Sequence, residues 1–117
     1  AAGMQFKVIT DTIPGAPTQV SPSGIIATAT PTYTWAAVPG ATSYILYLDN
    51  GVTMLRYDTF SASANCSSGT CSAPTTVALT DATSYYWTVE ASNAAGSGPW
   101  AAGMVFTVTL PGLLLTQ

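Results

Sequence analysis

The sequence predicts an all-β domain in which seven short strands form a two-layer sandwich. Several runs alternate between apolar and polar residues as half-buried strands do, and no stretch keeps a helical period over three turns. Pro, Gly, Asn and Asp separate these runs at intervals of about 8–12 residues, which is typical of sandwiches. The chain has 117 residues, of which 48% are hydrophobic, and this suffices for the core of one domain.

The predicted strands can be justified in chain order. Prolines flank the first run, which therefore predicts an edge strand. The second run alternates aromatic with polar residues, and the third follows the turn around Pro39-Gly40. Asn50-Gly51, a strong two-residue hairpin signal, joins the third run to the fourth. The seven runs lie at 18–21, 32–36, 43–48, 54–60, 75–79, 85–91 and 104–109.

Alternation within each strand assigns its two faces. In the run 85–91, the only charged residue, Glu90, shares a face with Tyr86 and Thr88, so that face is predicted to be outside. The same parity turns Ile45 and Tyr47 outward. The predicted core consists of the inward set: Tyr33, Trp35, Tyr44, Leu46, Leu48, Leu79, Tyr85, Trp87, Val89, Phe106 and Val108.

The sparse charge excludes several classes of function. The chain has two Lys or Arg, five Asp or Glu and no His, with a net charge of −3. Two cations cannot neutralise a phosphate backbone, which argues against nucleic acid. The commonest general base and metal ligand is absent, and no Gly-x-Ser-x-Gly or Asp-x-Asp pattern occurs. The sequence therefore predicts no catalytic residue, metal or cofactor, and no apolar run approaches the roughly 18 residues of a membrane span.

The two cysteines, Cys66 and Cys71, are separated by small residues. Two thiolates without histidine leave a tetrahedral metal shell half empty, and the spacing is not that of a redox Cys-x-x-Cys motif. We therefore predict a disulfide that closes a small loop and contributes about 2 kcal/mol. It implies an oxidising compartment, so the protein is expected to be extracellular or on the cell surface. The first residues lack a signal-peptide pattern, so we expect a mature form or an excised fragment.

Residues 79–85, Leu-Thr-Asp-Ala-Thr-Ser-Tyr, resemble the corner of fibronectin type III domains, where a Leu precedes a Tyr by six positions. The run continues through Trp87 to a Gly-rich loop that ends at Trp100, and Trp35 matches the family's second-strand tryptophan. The resemblance covers about residues 14–109. It implies an immunoglobulin-like sandwich in which Leu79 and Tyr85 form a structural corner, with the hydroxyl of Tyr85 bonded to upstream backbone.

The chain departs from the usual animal form of the family at Cys66 and Cys71. A disulfide hairpin there looks more like modules of bacterial extracellular tandem-repeat proteins. No Arg-Gly-Asp occurs, so the integrin-binding role of some animal members is not carried over.

The two ends of the sequence contain a repeat. Residues 1–8 match residues 101–108 at six of eight positions, so the chain begins with a copy of its own last strand. Residues 1–13 are expected to form an extra strand segment, 14–109 the domain and 110–117 an apolar tail. Residues 1–8 could complete a preceding module of a tandem array, or dock as a strand on a neighbouring subunit, and the plainest alternative is that residues 1–13 form a flexible arm. The predicted assembly residues are Met4, Phe6, Val8, Leu113, Leu114 and Leu115.

Two functions remain open. The first is a non-catalytic, structural or adhesive extracellular module that assembles end to end with copies of itself or with adjacent modules. The second is a carbohydrate-binding or spacer module of a secreted hydrolase, with glycans as partners of an outward face. That face would carry Ile45, Tyr47, Tyr57 and Tyr86. The repeat favours assembly.

Overall fold

A computed structural model describes residues 12–111. Within this range the chain forms ten strands and one single-turn helix. In chain order they are β1 (Gln19–Ser21), β2 (Gly24–Ile26), β3 (Tyr33–Ala36), β4 (Ser43–Asp49), β5 (Met54–Ser61), α1 (Ala62–Asn65), β6 (Cys66–Ser67), β7 (Thr70–Ala73), β8 (Thr83–Asn93), β9 (Gly96–Trp100) and β10 (Met104–Val108). No helix among the described residues is long and apolar enough to cross a membrane.

The strands form two sheets that enclose one core. The larger sheet has the order β2-β10-β8-β4-β5, and β9 also pairs with β8. The smaller sheet has the order β1-β3-β7-β6. All pairs are antiparallel except β2 with β10. The longest strand, β8, lies between β4 and β10 and therefore organises the larger sheet.

The predicted core is confirmed, because each of its residues is at most 6% exposed. Aromatic rings from the two sheets meet there: Tyr33 lies 5.4 Å from Trp87, and Trp35 lies 5.4 Å from Tyr44, between ring centroids. Alternation identified these residues because every second side chain of a strand points towards the other sheet and is buried between the two.

The predicted strand at 75–79 is wrong. Its place in the smaller sheet is taken by β7, which pairs with β3 so that Cys71 lies opposite Trp35. Pro74 follows β7 and cannot donate a backbone hydrogen bond, so the ladder ends there. The chain then runs irregularly to Leu79, which is still buried and whose N–H donates to the carbonyl of Ala29.

The structure adds one helical turn that the sequence did not predict. Helix α1 follows β5, and the hydroxyl of Ser61 caps it by accepting from the N–H of Ala64 at 3.2 Å. An N-capping serine lowers the cost of starting a helix, and four residues are too few to show a helical period in the sequence.

Arg56 points into the sandwich, which alternation did not reveal. On β5 it lies opposite Leu48, an inward residue of β4, and is only 3% exposed. Its Nε donates to Asp58 at 2.7 Å and its Nη1 to the carbonyl of Pro74 at 2.9 Å. The guanidinium carbon also lies 5.4 Å from the ring centre of Tyr33, so the cation is held by a carboxylate, a carbonyl and an aromatic ring.

Candidate functional site

The disulfide is confirmed. Cys66 and Cys71 are bonded to each other and face each other across β6 and β7. Ser68 and Gly69 both have positive φ angles, 52° and 83°, as a tight two-residue hairpin turn requires. Because Cys71 is fully buried, the bridge ties this hairpin to the core.

The corner around Tyr85 has the contact that the resemblance implies. The Tyr85 side chain is 4% exposed, and its hydroxyl accepts a hydrogen bond from the N–H of Thr80 at 2.8 Å. Tyr44 makes the same kind of contact, since its hydroxyl accepts from the N–H of Val38 at 2.8 Å. This second contact was not predicted, although Tyr44 follows a Pro-Gly turn as Tyr85 follows an Asp-containing one.

The chain enters the domain beside the turn between β8 and β9. The Nδ2 of Asn93 donates to the carbonyls of Thr12, at 2.8 Å, and Gly40, at 3.1 Å. Pro14 is buried. A Cβ at Gly98 would lie 1.9 Å from the Pro14 oxygen, so only glycine lets the two segments pack together.

The chain leaves the domain at the opposite end of β8. The N–H of Leu110 donates to Asp81 Oδ1 at 2.8 Å, just before β8 begins. The N–H of Thr109 donates to the carbonyl of Ile26 at 2.8 Å. Since β8 has 11 residues, and a strand rises about 3.3 Å per residue, the two points are separated by about 33 Å.

The outer face of the larger sheet carries a groove, lined by Tyr47, Tyr57, Tyr86, Thr88 and Trp100, with a volume of about 550 Å³. We call it the aromatic groove. Ring centroids lie 6.3 Å apart both for Tyr47 with Tyr86 and for Tyr57 with Trp100. Thr88 is on the outer face as expected, but it is only 5% exposed, and its hydroxyl donates to the carbonyl of Ala101 at 2.9 Å.

The structure brings together three of the four residues predicted for the outer binding face. Tyr47, Tyr57 and Tyr86 line the aromatic groove, while Ile45 lies on the same face, opposite Glu90, and does not line it. Trp100 was missed because the sequence placed it in a loop, and only the pairing of β9 with β8 sets it opposite Glu90.

Two of the carboxylates, Asp49 and Asp58, have structural partners. Asp49 Oδ2 accepts from the Tyr47 hydroxyl at 2.6 Å, and this hydrogen bond raises the pKa of Tyr47. Asp49 Oδ1 accepts from the N–H of Gly51, while Asp58 pairs with Arg56. Over residues 12–111 no three His, Cys, Asp or Glu side chains cluster as metal ligands would. The predicted assembly residues Met4, Phe6, Val8, Leu113, Leu114 and Leu115 lie outside the described residues.

Comparisons with known proteins bear on the fold. No family model matches the sequence, and no curated protein matches it.

Solved structures of fibronectin type III domains do match. The third such domain of the human KIAA0343 protein is 16% identical, with a TM-score of 0.54, 100% of this chain covered and 99% of that one. An Fn3-like protein from Clostridium thermocellum is 23% identical, with a TM-score of 0.50 and coverages of 90% and 98%. A mutant of FN3tt is 21% identical, with a TM-score of 0.55 and coverages of 82% and 97%. The chain therefore has the immunoglobulin-like sandwich fold of fibronectin type III domains.

Proposed function

We propose that this protein is a non-catalytic structural module of an extracellular protein, joined end to end to modules of the same kind. The observation that carries the proposal is where the chain enters and leaves the domain within residues 12–111. The chain enters beside Asn93 and leaves beside Asp81, at opposite ends of β8, and hydrogen bonds hold both points. A module built in this way extends a rod instead of folding back on its neighbour.

The repeat supports joining within one chain. Strand β10 lies between β2 and β8, with Phe106 and Val108 fully buried. The domain therefore already contains its last strand, and residues 1–8, which duplicate that strand, have no equivalent position left in it. They would complete the last strand of a preceding module, with residues 12–17 as the fixed connection between the two.

The sheet edges argue against the alternative, in which residues 1–8 add to a neighbouring subunit. The longest edge strand, β5, turns Arg56 and Asp58 inward, and inward charges discourage pairing at an edge. Pro17 and Pro22 flank β1, while β2 and β6 have three and two residues. The edge strands β1, β2, β5 and β6 are therefore short or carry residues that disfavour pairing with another strand.

The remaining parts of the proposal follow from the contacts of individual residues. Hydrogen bonds to Asp49 and Asp81 fix turns, and Asp58 pairs with Arg56. These contacts give the three carboxylates structural roles, in keeping with a non-catalytic module. The disulfide between Cys66 and Cys71 supports an oxidising, extracellular setting. A sugar-binding role would use a different surface, the outer face of the larger sheet.

The test is a two-module chain in the register of the repeat, with residues 1–100 followed by residues 1–117. Small-angle scattering should give a rod whose maximum dimension is about twice that of one module. The matched control carries Gly98→Ala in the second module, where the added Cβ meets Pro14 and should loosen the connection. A pair that is equally bent or flexible with and without the substitution would contradict the proposal.

A further inference from the structure

We propose that the aromatic groove is a binding site for a neutral oligosaccharide. Its volume of about 550 Å³ falls within the roughly 300–1,000 Å³ typical of small-ligand sites. The inference goes beyond the end-to-end role, since the groove lies on a sheet face near the middle of β8 and at neither end of the module.

The exposed rings suit a sugar. Tyr57 and Trp100 are 55% and 37% exposed, and their rings are tilted by 56° at the top of the groove. Aromatic faces carry partial negative charge, while the axial C–H bonds of a pyranose carry partial positive charge, so the two stack favourably. The hydroxyls of the tyrosines and the indole N–H of Trp100 lie at the ring edges, where sugar hydroxyls would meet them.

Two side chains of the aromatic groove, Tyr47 and Tyr86, are already held in place. The Tyr47 hydroxyl donates to Asp49 at 2.6 Å, which fixes that ring. The Tyr86 ring lies directly against Gly103, where a Cβ would come within 2.4 Å of it. A site that is ordered before binding loses little entropy when a ligand arrives.

Charge at the outer face disfavours an anionic ligand. The only cation among residues 12–111 is Arg56, which is buried beneath the opposite face of the sheet. Asp49 and Glu90 lie on or beside the outer face and would repel an anion. Sulfated or uronic polymers are therefore disfavoured, while a neutral glycan meets no electrostatic penalty.

The direction of the groove favours a sugar over an extended peptide. Its residues come from β5, β4, β8 and β9, so the groove runs across the strands. A peptide that extends a sheet needs the free backbone groups of an edge strand, whereas β4 and β8 are paired on both sides here. Recognition in this groove must rest on ring stacking and side-chain hydrogen bonds.

The test is affinity electrophoresis of the full chain through gels that contain a soluble polysaccharide. The neutral probes are a β-glucan, a xylan, a glucomannan and a glycol chitin, and polygalacturonate is the acidic comparison. We expect at least one neutral gel to retard the protein, to the same extent at low and high salt.

Variants separate stacking from folding. Trp100→Ala and Tyr57→Ala should each weaken binding by about tenfold or more, while Trp100→Phe keeps a ring and should retain most of it. Val52→Ala, at a 92% exposed residue of the β4–β5 turn, is the matched control and should have no effect. Each variant is checked for an unchanged melting temperature.

Three results would overturn the proposal. The first is no retardation in any neutral gel, and the second is retardation by polygalacturonate alone. The third is a change in self-association on Trp100→Ala in sedimentation, because a second copy of the chain would then be the occupant of the groove.

Discussion

The two sheets of this domain are stabilised by different kinds of interaction. The larger sheet has strands of up to 11 residues whose inward side chains alternate without interruption, as in β8 and β4. Strands of the smaller sheet have two to four residues. Individual bonds supplement them: the Cys66–Cys71 disulfide, the bond between the hydroxyls of Ser21 and Thr34 at 2.7 Å, and the contact of Arg56 with Pro74.

This difference separates two sources of stability. Burial of a regular apolar stripe is spread over many residues, and each inward side chain contributes according to its area. A short strand has little such stripe, so single hydrogen bonds and covalent links decide its position. Substitutions in the larger sheet should therefore follow burial, while those in the smaller sheet and its corners should follow specific bonds.

The largest effect is expected in the larger sheet. Phe106 is fully buried on β10, so Phe106→Ala should lower the free energy of unfolding by about 3–5 kcal/mol. Its neighbour Val105 is 61% exposed, and Val105→Ala should change that free energy by no more than about 0.5 kcal/mol. Urea unfolding measures both, and similar values for the two variants would break the comparison.

Next comes the corner that precedes β8, where the backbone of Thr80 meets Tyr85. Tyr85→Phe removes the hydroxyl that accepts from the N–H of Thr80, and should cost about 1–3 kcal/mol. The ring still stacks on Phe106, so any loss belongs to the hydroxyl alone. If the free energy of unfolding, measured by heat or urea, falls by less than about 0.3 kcal/mol, this hydrogen bond does not stabilise the corner.

In the smaller sheet, the disulfide should contribute about 2 kcal/mol. The double variant Cys66→Ala, Cys71→Ala should lose that amount of unfolding free energy and therefore unfold at a lower urea concentration. It should keep the signals of the larger sheet in two-dimensional NMR. Under native, non-reducing conditions a thiol reagent should find no reactive cysteine. Two reactive thiols per chain would contradict both the bridge and the inference of an oxidising compartment.

A pH dependence, seen only in alkaline solution, is expected to arise in β3. Burial raises the pKa of Tyr33 to about 12, and the nearby Arg56 guanidinium opposes part of that rise. The unfolded chain loses this proton near pH 10, so the contribution of Tyr33 to stability should be constant below about pH 10 and fall as the pH rises towards 12. In Tyr33→Phe, the free energy of unfolding measured with urea should fall less steeply as the pH rises above about 10. An identical pH dependence in the variant and the unaltered protein would refute the assignment of this effect to Tyr33.

Alternation was sufficient to predict the core and most of the larger sheet, because every inward position from Tyr44 to Leu48 and from Tyr85 to Ala91 obeys it. It failed at 75–79, where Val77 and Leu79 share one parity but Pro74 has already ended the ladder. It also missed Arg56, since two of the groups that hold this buried cation, the carbonyl of Pro74 and the ring of Tyr33, are distant from it in sequence.

The aromatic groove was predictable only in part. Tyrosines 47, 57 and 86 face outward by parity, and pairing of adjacent strands brings them together. Trp100 joins them through the fold of β9 onto β8, a contact that no local pattern encodes.

The central claim, that the chain enters and leaves at opposite ends of a rigid domain, can be measured directly in one molecule. The substitutions Thr12→Cys and Thr109→Cys provide two spin-label sites, since the native cysteines are bonded to each other. Pulsed electron paramagnetic resonance should give one narrow distance distribution centred at about 30–40 Å. A centre below about 20 Å, or a broad distribution, would contradict the end-to-end account.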